Sequence, residues 1–286
     1  MRDGEFELVT LKSGARAVRH LGHGEVMHPA GGPWAEANRL YIEQPELPAR
    51  LRRPGQQPVC IFDIGLGAAT NAVAALTCAR ATGGQVELHS FERDLAPLRL
   101  ALADAEGFPF LVPWREAAQA LMSTGEWTGA EGRWTLHRGE LLQCLQPERM
   151  AGLNAAELVF FDPFSPQHNA DLWTPEAFAA VRRCCRVDEH GSMLLTYSAA
   201  TPTRVSLLLG GFYVGIGSST GTKRETTTAA TRLELLAEPL GARWLARWER
   251  STARAPIGQT ELTAECERLL RLHPQFAGLG PETKSG

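Results

Sequence analysis

An apolar run, Val159-Phe160-Phe161, stops abruptly at the carboxylate of Asp162, and Pro163-Phe164-Ser165-Pro166 follows, with Asn169, Asp171 and Leu172-Trp173-Thr174-Pro175 close behind. In an open α/β sheet, ligands lie beyond the carboxyl ends of the strands, so an acid at such an edge faces whatever the fold binds. An Asp before two prolines is also an ordinary turn cap, and the motif alone leaves both roles open. A second group lies upstream. Asp63-Ile64-Gly65-Leu66-Gly67-Ala68-Ala69-Thr70-Asn71 closes another apolar segment with glycines and a helix start, which let backbone N–H groups approach a nucleotide-type ligand. Its spacing falls short of the full G-x-G-x-x-G. Glu92 comes 27 residues after Gly65, where an acid holds ribose hydroxyls in dinucleotide and adenosyl folds; alternatively it is a solvated acid paired with Arg93. Glu140, after Gly139, ends a third segment, where a carboxylate can accept from an adenine amino group.

These residues need a sheet to line them up. Apolar segments over residues 58–64, 85–91, 134–137, 158–161 and 192–197 read as strands. Residues 71–81, 95–105, 140–145, 175–185 and 203–209 read as the helices between and after them. Strands alternating with helices predict parallel βαβ units and a doubly wound sheet, with residues 212–216 and 225–230 as an antiparallel closing pair. Two short segments, 5–10 and 15–20, flank Ser13-Gly14 as a β-hairpin, and Arg50 to Gly55 reads as a basic connecting loop. The expected organisation is a hairpin and substrate-side element over residues 1–54, a Rossmann-like domain over 55–235, and a basic, amphipathic extension over 236–286.

Bulk properties narrow the classes. A chain of 286 residues that is 44% apolar can bury a full core. No apolar run approaches the roughly 20 residues a membrane span needs, and the first ten residues lack the layout of a signal peptide, so the expectation is a cytoplasmic protein with no membrane partner. Of six cysteines only Cys184 and Cys185 are close in sequence, which indicates neither a disulfide framework nor a zinc site; no metal is expected. A net charge of −3 gives no global pull toward nucleic acid, so an RNA partner would need a local basic surface.

A nicotinamide enzyme shares the loop and the ribose acid, but acids at four successive strand ends (Asp63, Glu92, Glu140, Asp162) resemble the layout of class I S-adenosylmethionine-dependent methyltransferases. The sequence is similar to one family in more detail. Gly24-Glu25-Val26-Met27-His28, Glu36 and Tyr41, the glycine loop with Asn71, Ser90-Phe91-Glu92-Arg93, the block from Phe161 to Phe178, and Lys223-Arg224-Glu225 resemble the methyltransferase domain of MnmC-type tRNA-modifying enzymes. The resemblance runs from about Gly24 to Thr228. It implies a class I α/β fold and S-adenosylmethionine as methyl donor. It further implies, as substrate, the aminomethyl group of 5-aminomethyl-(2-thio)uridine at the tRNA wobble position. A chain of this length fits a stand-alone form without the oxidase domain, so no FAD is expected. Three positions depart from the family: Ala68-Ala69 stands where Thr-Gly is frequent, Glu140 where Asp is common, and Pro163 where the fused enzymes tend to have Gly.

Under this resemblance Asp63, Gly65, Gly67, Asn71, Glu92, Arg93, Gly139, Glu140 and Asp162 form the cofactor set. Asp162 doubles as the catalytic carboxylate that orients the amine and takes or relays its proton. Pro163 removes a backbone donor and affects how substrate meets Asp162. His168 and Trp173 shape the substrate mouth, Tyr197 stacks on an extruded uracil, and Lys223 and Arg224 meet anticodon phosphates. For Trp173 and Tyr197 core packing is the competing role, and for Lys223-Arg224 an unliganded basic loop; His28 is a weaker candidate. Two other readings remain: an aminopropyltransferase related to spermidine synthase, and a non-catalytic nucleotide- or RNA-binding protein on a degenerate methyltransferase fold.

Overall fold

The computed structural model describes residues 1–27, 32–55, 57–219 and 225–277. His28, Lys223 and Arg224 lie outside the described residues.

Strands β1 (Arg2–Asp3), β2 (Phe6–Thr10) and β3 (Arg16–His20) form a small antiparallel sheet, with the predicted hairpin as its larger part. The main sheet contains β4 (Val59–Ile64), β5 (Val86–Glu92), β6 (Glu126–Gly129), β7 (Gly132–Arg138), β8 (Leu158–Phe161), β9 (Met193–Thr196), β10 (Tyr213–Gly217) and β11 (Thr226–Ala230). Its order is β10-β11-β9-β8-β4-β5-β7-β6. Pairings among β4, β5, β7, β8 and β9 are parallel; β11 inserts antiparallel between β9 and β10, and β6 pairs antiparallel at the opposite edge. The doubly wound sheet and the antiparallel pair thus form as the alternation predicts.

Composition explains the layering. Every residue of Val-Cys-Ile-Phe-Asp-Ile in β4, Leu-Val-Phe-Phe in β8 and Met-Leu-Leu-Thr in β9 is buried, as befits central parallel strands covered on both faces. Helix Thr70–Thr82 is rich in alanine, which lets it lie close against the sheet and the helices at Pro33–Ala37 and Leu47–Leu51. The chain winds from β4 through β5 to β7 in one direction and then returns to β8 on the other side of β4. The order reverses between β4 and β8, which is where a doubly wound sheet opens a ligand crevice.

One segment differs from its sequence reading. Arg50 does not sit in a basic connecting loop; it lies in helix Leu47–Leu51 and is buried. Its guanidinium donates to Glu157 at 2.6 Å and to the Pro45 carbonyl at 2.7 Å, and Arg53 and Arg186 also reach Glu157. A buried carboxylate is tolerated because it is fully paired.

The C-terminal extension packs on the sheet. Helices Ala242–Glu249 and Ala264–Arg271 bury Trp244, Trp248 and Leu270 in the same cluster as Phe161, Trp173 and Phe178, while Arg243, Arg247 and Arg250 stay exposed. The Gln275 amide accepts from the Val214 N–H at 2.7 Å and donates to the carbonyls of Val214 and Leu240, closing the outer edge of β10. Among the described residues no helix is long and apolar enough to cross a membrane.

Candidate active site

Parallel register brings the strand ends level. Ile64 is paired with Phe91 on one side and with Phe161 on the other, Glu92 is paired with Arg138, and Phe160 with Leu195. The residues that follow, Gly65, Asp162, Gly139 and the Tyr197 turn, therefore leave the sheet at one edge. A cavity of about 1440 Å³ opens there. Its walls include Gly65, Gly67, Glu92, Arg93, Gly139, Glu140, Asp162, Pro163, His168 and Tyr197 of the sequence-derived set. Asp63, Asn71 and Trp173 do not line it.

Gly65 shows why the loop needs glycine. Its φ is +88°, and a Cβ there would lie 2.6 Å from the Asp162 carbonyl oxygen and 2.9 Å from the Pro163 nitrogen. Only a residue without a side chain lets the β4 turn pass so close to the β8 turn. Helix Thr70–Thr82 then starts from Ala69, whose φ of +61° lies in the left-handed region that favours glycine. The first turn of this helix carries Asn71, which donates from Nδ2 to Oδ2 of Asp162 at 2.8 Å. Asn71 thus braces Asp162 from behind the cavity wall.

The four acids occupy four different environments. Asp63 is fully buried; Ser90 Oγ donates to its Oδ2 at 2.7 Å and itself accepts from Trp134 Nε1 at 2.9 Å, while Oδ1 has no partner among the described residues. Burial pushes its acid up to about 8 against the Ser90 hydrogen bond, and the charges of Asp162 and Glu92 add to the rise. Glu92 accepts from the N–H groups of Arg93, Asp94 and Gly67 at 2.8, 3.0 and 3.2 Å. Burial raises its acid, with those three donors opposing. Glu140 is exposed and sits 3.6 Å from Arg93. Asp162 is half-buried against Asn71.

Two tyrosines flank this carboxylate. Tyr197 Oη donates to the Pro163 carbonyl at 3.3 Å, and burial together with the Asp162 charge raises its phenol. Tyr41 is fully buried, its hydroxyl has no partner among the described residues, and burial followed by the Asp162 charge raises it as well. Trp173 is completely buried; its Nε1 donates to the Phe164 carbonyl at 3.0 Å and so shapes the Asp162 loop from inside. The loop ends where Thr174 caps helix Pro175–Arg183 by accepting from the Ala177 N–H.

The segment after β3 closes the mouth. Glu25 accepts from both the N–H and the Oγ of Ser165, at 3.0 and 2.9 Å, which ties it to the Asp162 loop. The rings of His20, His23 and His168 stack in series beside it. Sequence spacing could not assign this latch, because Glu25 and Ser165 stand 140 residues apart.

With this geometry in view, residues 116–232 match the family described as S-adenosyl-L-methionine-dependent methyltransferase. The chain is 28% identical over 249 residues to the tRNA 5-methylaminomethyl-2-thiouridine biosynthesis bifunctional protein MnmC of Methylibium petroleiphilum, covering 82% of this chain and 36% of that protein. The MnmC protein of Azoarcus sp. is 30% identical over 215 residues, covering 71% and 32% respectively. The chain is similar in sequence to these MnmC proteins. It spans about a third of the length of these curated relatives. The crystal structure of MNMC2 from Aquifex aeolicus superposes with a TM-score of 0.72 at 23% identity, covering 94% of this chain and 84% of that one. The chain therefore shares the α/β fold of that structure, built on a mostly parallel sheet.

Proposed function

We propose that this protein transfers a methyl group from S-adenosylmethionine to the aminomethyl amine of a wobble uridine in tRNA. The observation that carries the reading is the Asp162 carboxylate, braced by Asn71 on a turn whose backbone packs against the Gly65 turn, at the edge of an acid-rich cavity. Among the described residues, eight carboxylate residues and two arginines line that cavity. Such a wall favours cationic ligands, and both a sulfonium donor and an ammonium acceptor are cations.

The residues present fit the donor. Gly65 and Gly67 line the cavity with backbone at positive φ, and Glu92 is fixed by three backbone donors with acceptor capacity left for ribose hydroxyls. Glu140, beside Arg93, offers a carboxylate for the base amino group. When bound, S-adenosylmethionine supplies a methyl group already activated by its sulfonium. The protein's part is then alignment and proton removal. Asp162 holds the substrate ammonium and accepts or relays its proton, so that a neutral amine points at the methyl carbon. Asn71 keeps the carboxylate aimed. His168 and Tyr197 border the opening through which the nucleoside enters, and Pro163 sets the backbone beside it. Lys223 and Arg224 are the residues we propose for tRNA phosphates.

The decisive experiment compares the protein with Asp162→Asn in methyl transfer to tRNA bearing 5-aminomethyluridine, read by nucleoside mass spectrometry. We expect turnover to fall about 10²–10⁴-fold with S-adenosylmethionine binding retained. Near-normal turnover of the variant refutes the role of Asp162. Transfer to putrescine from decarboxylated S-adenosylmethionine, with none to tRNA, would instead favour the aminopropyltransferase reading.

A further inference from the structure

Three stacked imidazoles stand at the cavity mouth, where His168 also borders the nucleoside's entry. His23 is sandwiched between His20, at a ring separation of 3.6 Å, and His168, at 4.1 Å. His20 has both nitrogens engaged: Nδ1 accepts from the Gly22 N–H at 3.0 Å, and Nε2 faces Glu5 at 3.5 Å. His23 does not, since its Nδ1 is buried with no hydrogen-bond partner among the described residues, a cost that a further bond would remove. His168 Nε2 stands 3.6 Å from Glu25 Oε2. One ligand atom each from His23, Glu25 and His168 falls within 4.8 Å of the others.

We propose that His23, Glu25 and His168 form a binding site for a divalent transition metal of the zinc class. Two imidazoles and one carboxylate are a zinc donor set, and three protein ligands leave a fourth position for water; because an imidazole lone pair lies in its ring plane, the His168 ring turns out of its stack on His23 to reach the ion. The supporting contacts are those a metal site needs. Ser165 fixes the Glu25 carboxylate through its N–H and Oγ, and His20 backs the His23 ring. The sequence gives no zinc spacing, because His168 enters from a loop 143 residues beyond Glu25. A bound ion would join the segment after β3 to the loop after β8 and staple the mouth of the cavity. It takes no part in the methyl transfer proposed above.

The test is zinc titration of tag-free protein against a chromogenic chelator, with cobalt substitution read by visible absorption. The unsubstituted protein and His190→Ala, which removes an exposed histidine elsewhere, should each bind one zinc ion per chain. His23→Ala, His168→Ala and Glu25→Gln should each weaken binding by more than the about 10–100-fold typical of losing a supporting residue. Circular dichroism identifies any variant that fails to fold, and the other two single variants then decide. No zinc on the unsubstituted protein, or undiminished zinc on the folded variants, overturns the proposal. Because the readout is metal retained, either result leaves the assignment of Asp162 to be judged on its own assay.

Discussion

Replacing Asp63 by Asn should flatten the pH dependence of stability. Asp63 is fully buried, with one oxygen accepting from Ser90, and its acid is pushed up to about 8 from the solvent value of 3.8. The folded protein thus keeps a proton that the unfolded chain releases. The contribution of this group is fully present below about pH 4 and declines as pH rises toward about 8, opposite in sign to a carboxylate paired with a cation. Each pH unit in that window is worth about 1.4 kcal/mol, so a gap of about four units sets a ceiling of about 6 kcal/mol. A domain's whole stability is only about 5–15 kcal/mol. Relaxation and water entry reduce such penalties, so a loss of about 2–4 kcal/mol from pH 5 to pH 8 is expected. The Asn amide keeps the Ser90 hydrogen bond but adds unmet donors, a cost of about 1–3 kcal/mol that does not vary with pH. The quantity to measure is therefore the difference between Asp63→Asn and the unsubstituted protein in urea unfolding across that range. It should shift in favour of the variant as pH rises. A constant difference, or one that moves the other way, refutes a protonated Asp63.

The strand-end turns allow sharper tests. Gly65→Ala places a Cβ 2.6 Å from the Asp162 carbonyl at a φ of +88°, and backbone on both sides cannot yield as a flexible side chain would. It should cost more than about 2 kcal/mol and abolish S-adenosylmethionine binding in calorimetry; unchanged affinity would contradict the close approach of the two turns. Ala69→Gly should be nearly neutral in thermal unfolding. Relief of about 1–2 kcal/mol of left-handed strain is offset by about 0.8 kcal/mol of lost methyl burial and about 0.4–1 kcal/mol of added chain entropy. Asn71→Ala removes a hydrogen bond to a carboxylate worth about 1.5–3 kcal/mol and should lower kcat by roughly one to two orders of magnitude with less effect on KM. A change confined to KM would show that Asn71 does not act through Asp162.

What could be read from the chain is what depends on neighbours in sequence. Apolar runs marked β4, β8 and β9 because central parallel strands are buried on both faces, and β5 stayed legible although Glu87 interrupts it. β6 was missed: Glu126-Trp127-Thr128-Gly129 is a short, partly exposed edge strand with neither a long apolar run nor a clean alternation of buried and exposed residues. Arg50 looked like part of a solvated basic run because the carboxylate that holds it, Glu157, comes 107 residues later. The latch between Glu25 and Ser165 escaped for the same reason. Trp173 takes the core-packing role of the two that the sequence left open, standing next to the Asp162 loop with its side chain turned inward to hold the Phe164 carbonyl.

The four strand-end acids make the same point about chemistry. As a set they pointed to an adenosyl-type site, yet as individuals they are not equivalent, and register and burial decide the division. The side chain of Asp63, still within β4, is enclosed, so it is held protonated by the fold and stands behind the loop rather than in the cavity. Glu92 closes β5 and is captured by the backbone of its own turn and of the glycine loop, which makes it a rigid acceptor. Glu140 falls two residues past β7 and stays exposed beside Arg93. Asp162 alone lies one residue past its strand, at the point where the sheet order reverses, with Asn71 from the neighbouring helix on one oxygen. A half-buried carboxylate braced by Asn71 on the cavity wall can reach a cation bound there, which neither the buried Asp63 nor the turn-bound Glu92 can do. That difference in position, rather than the presence of an acid, is why we propose Asp162 for the proton-accepting role.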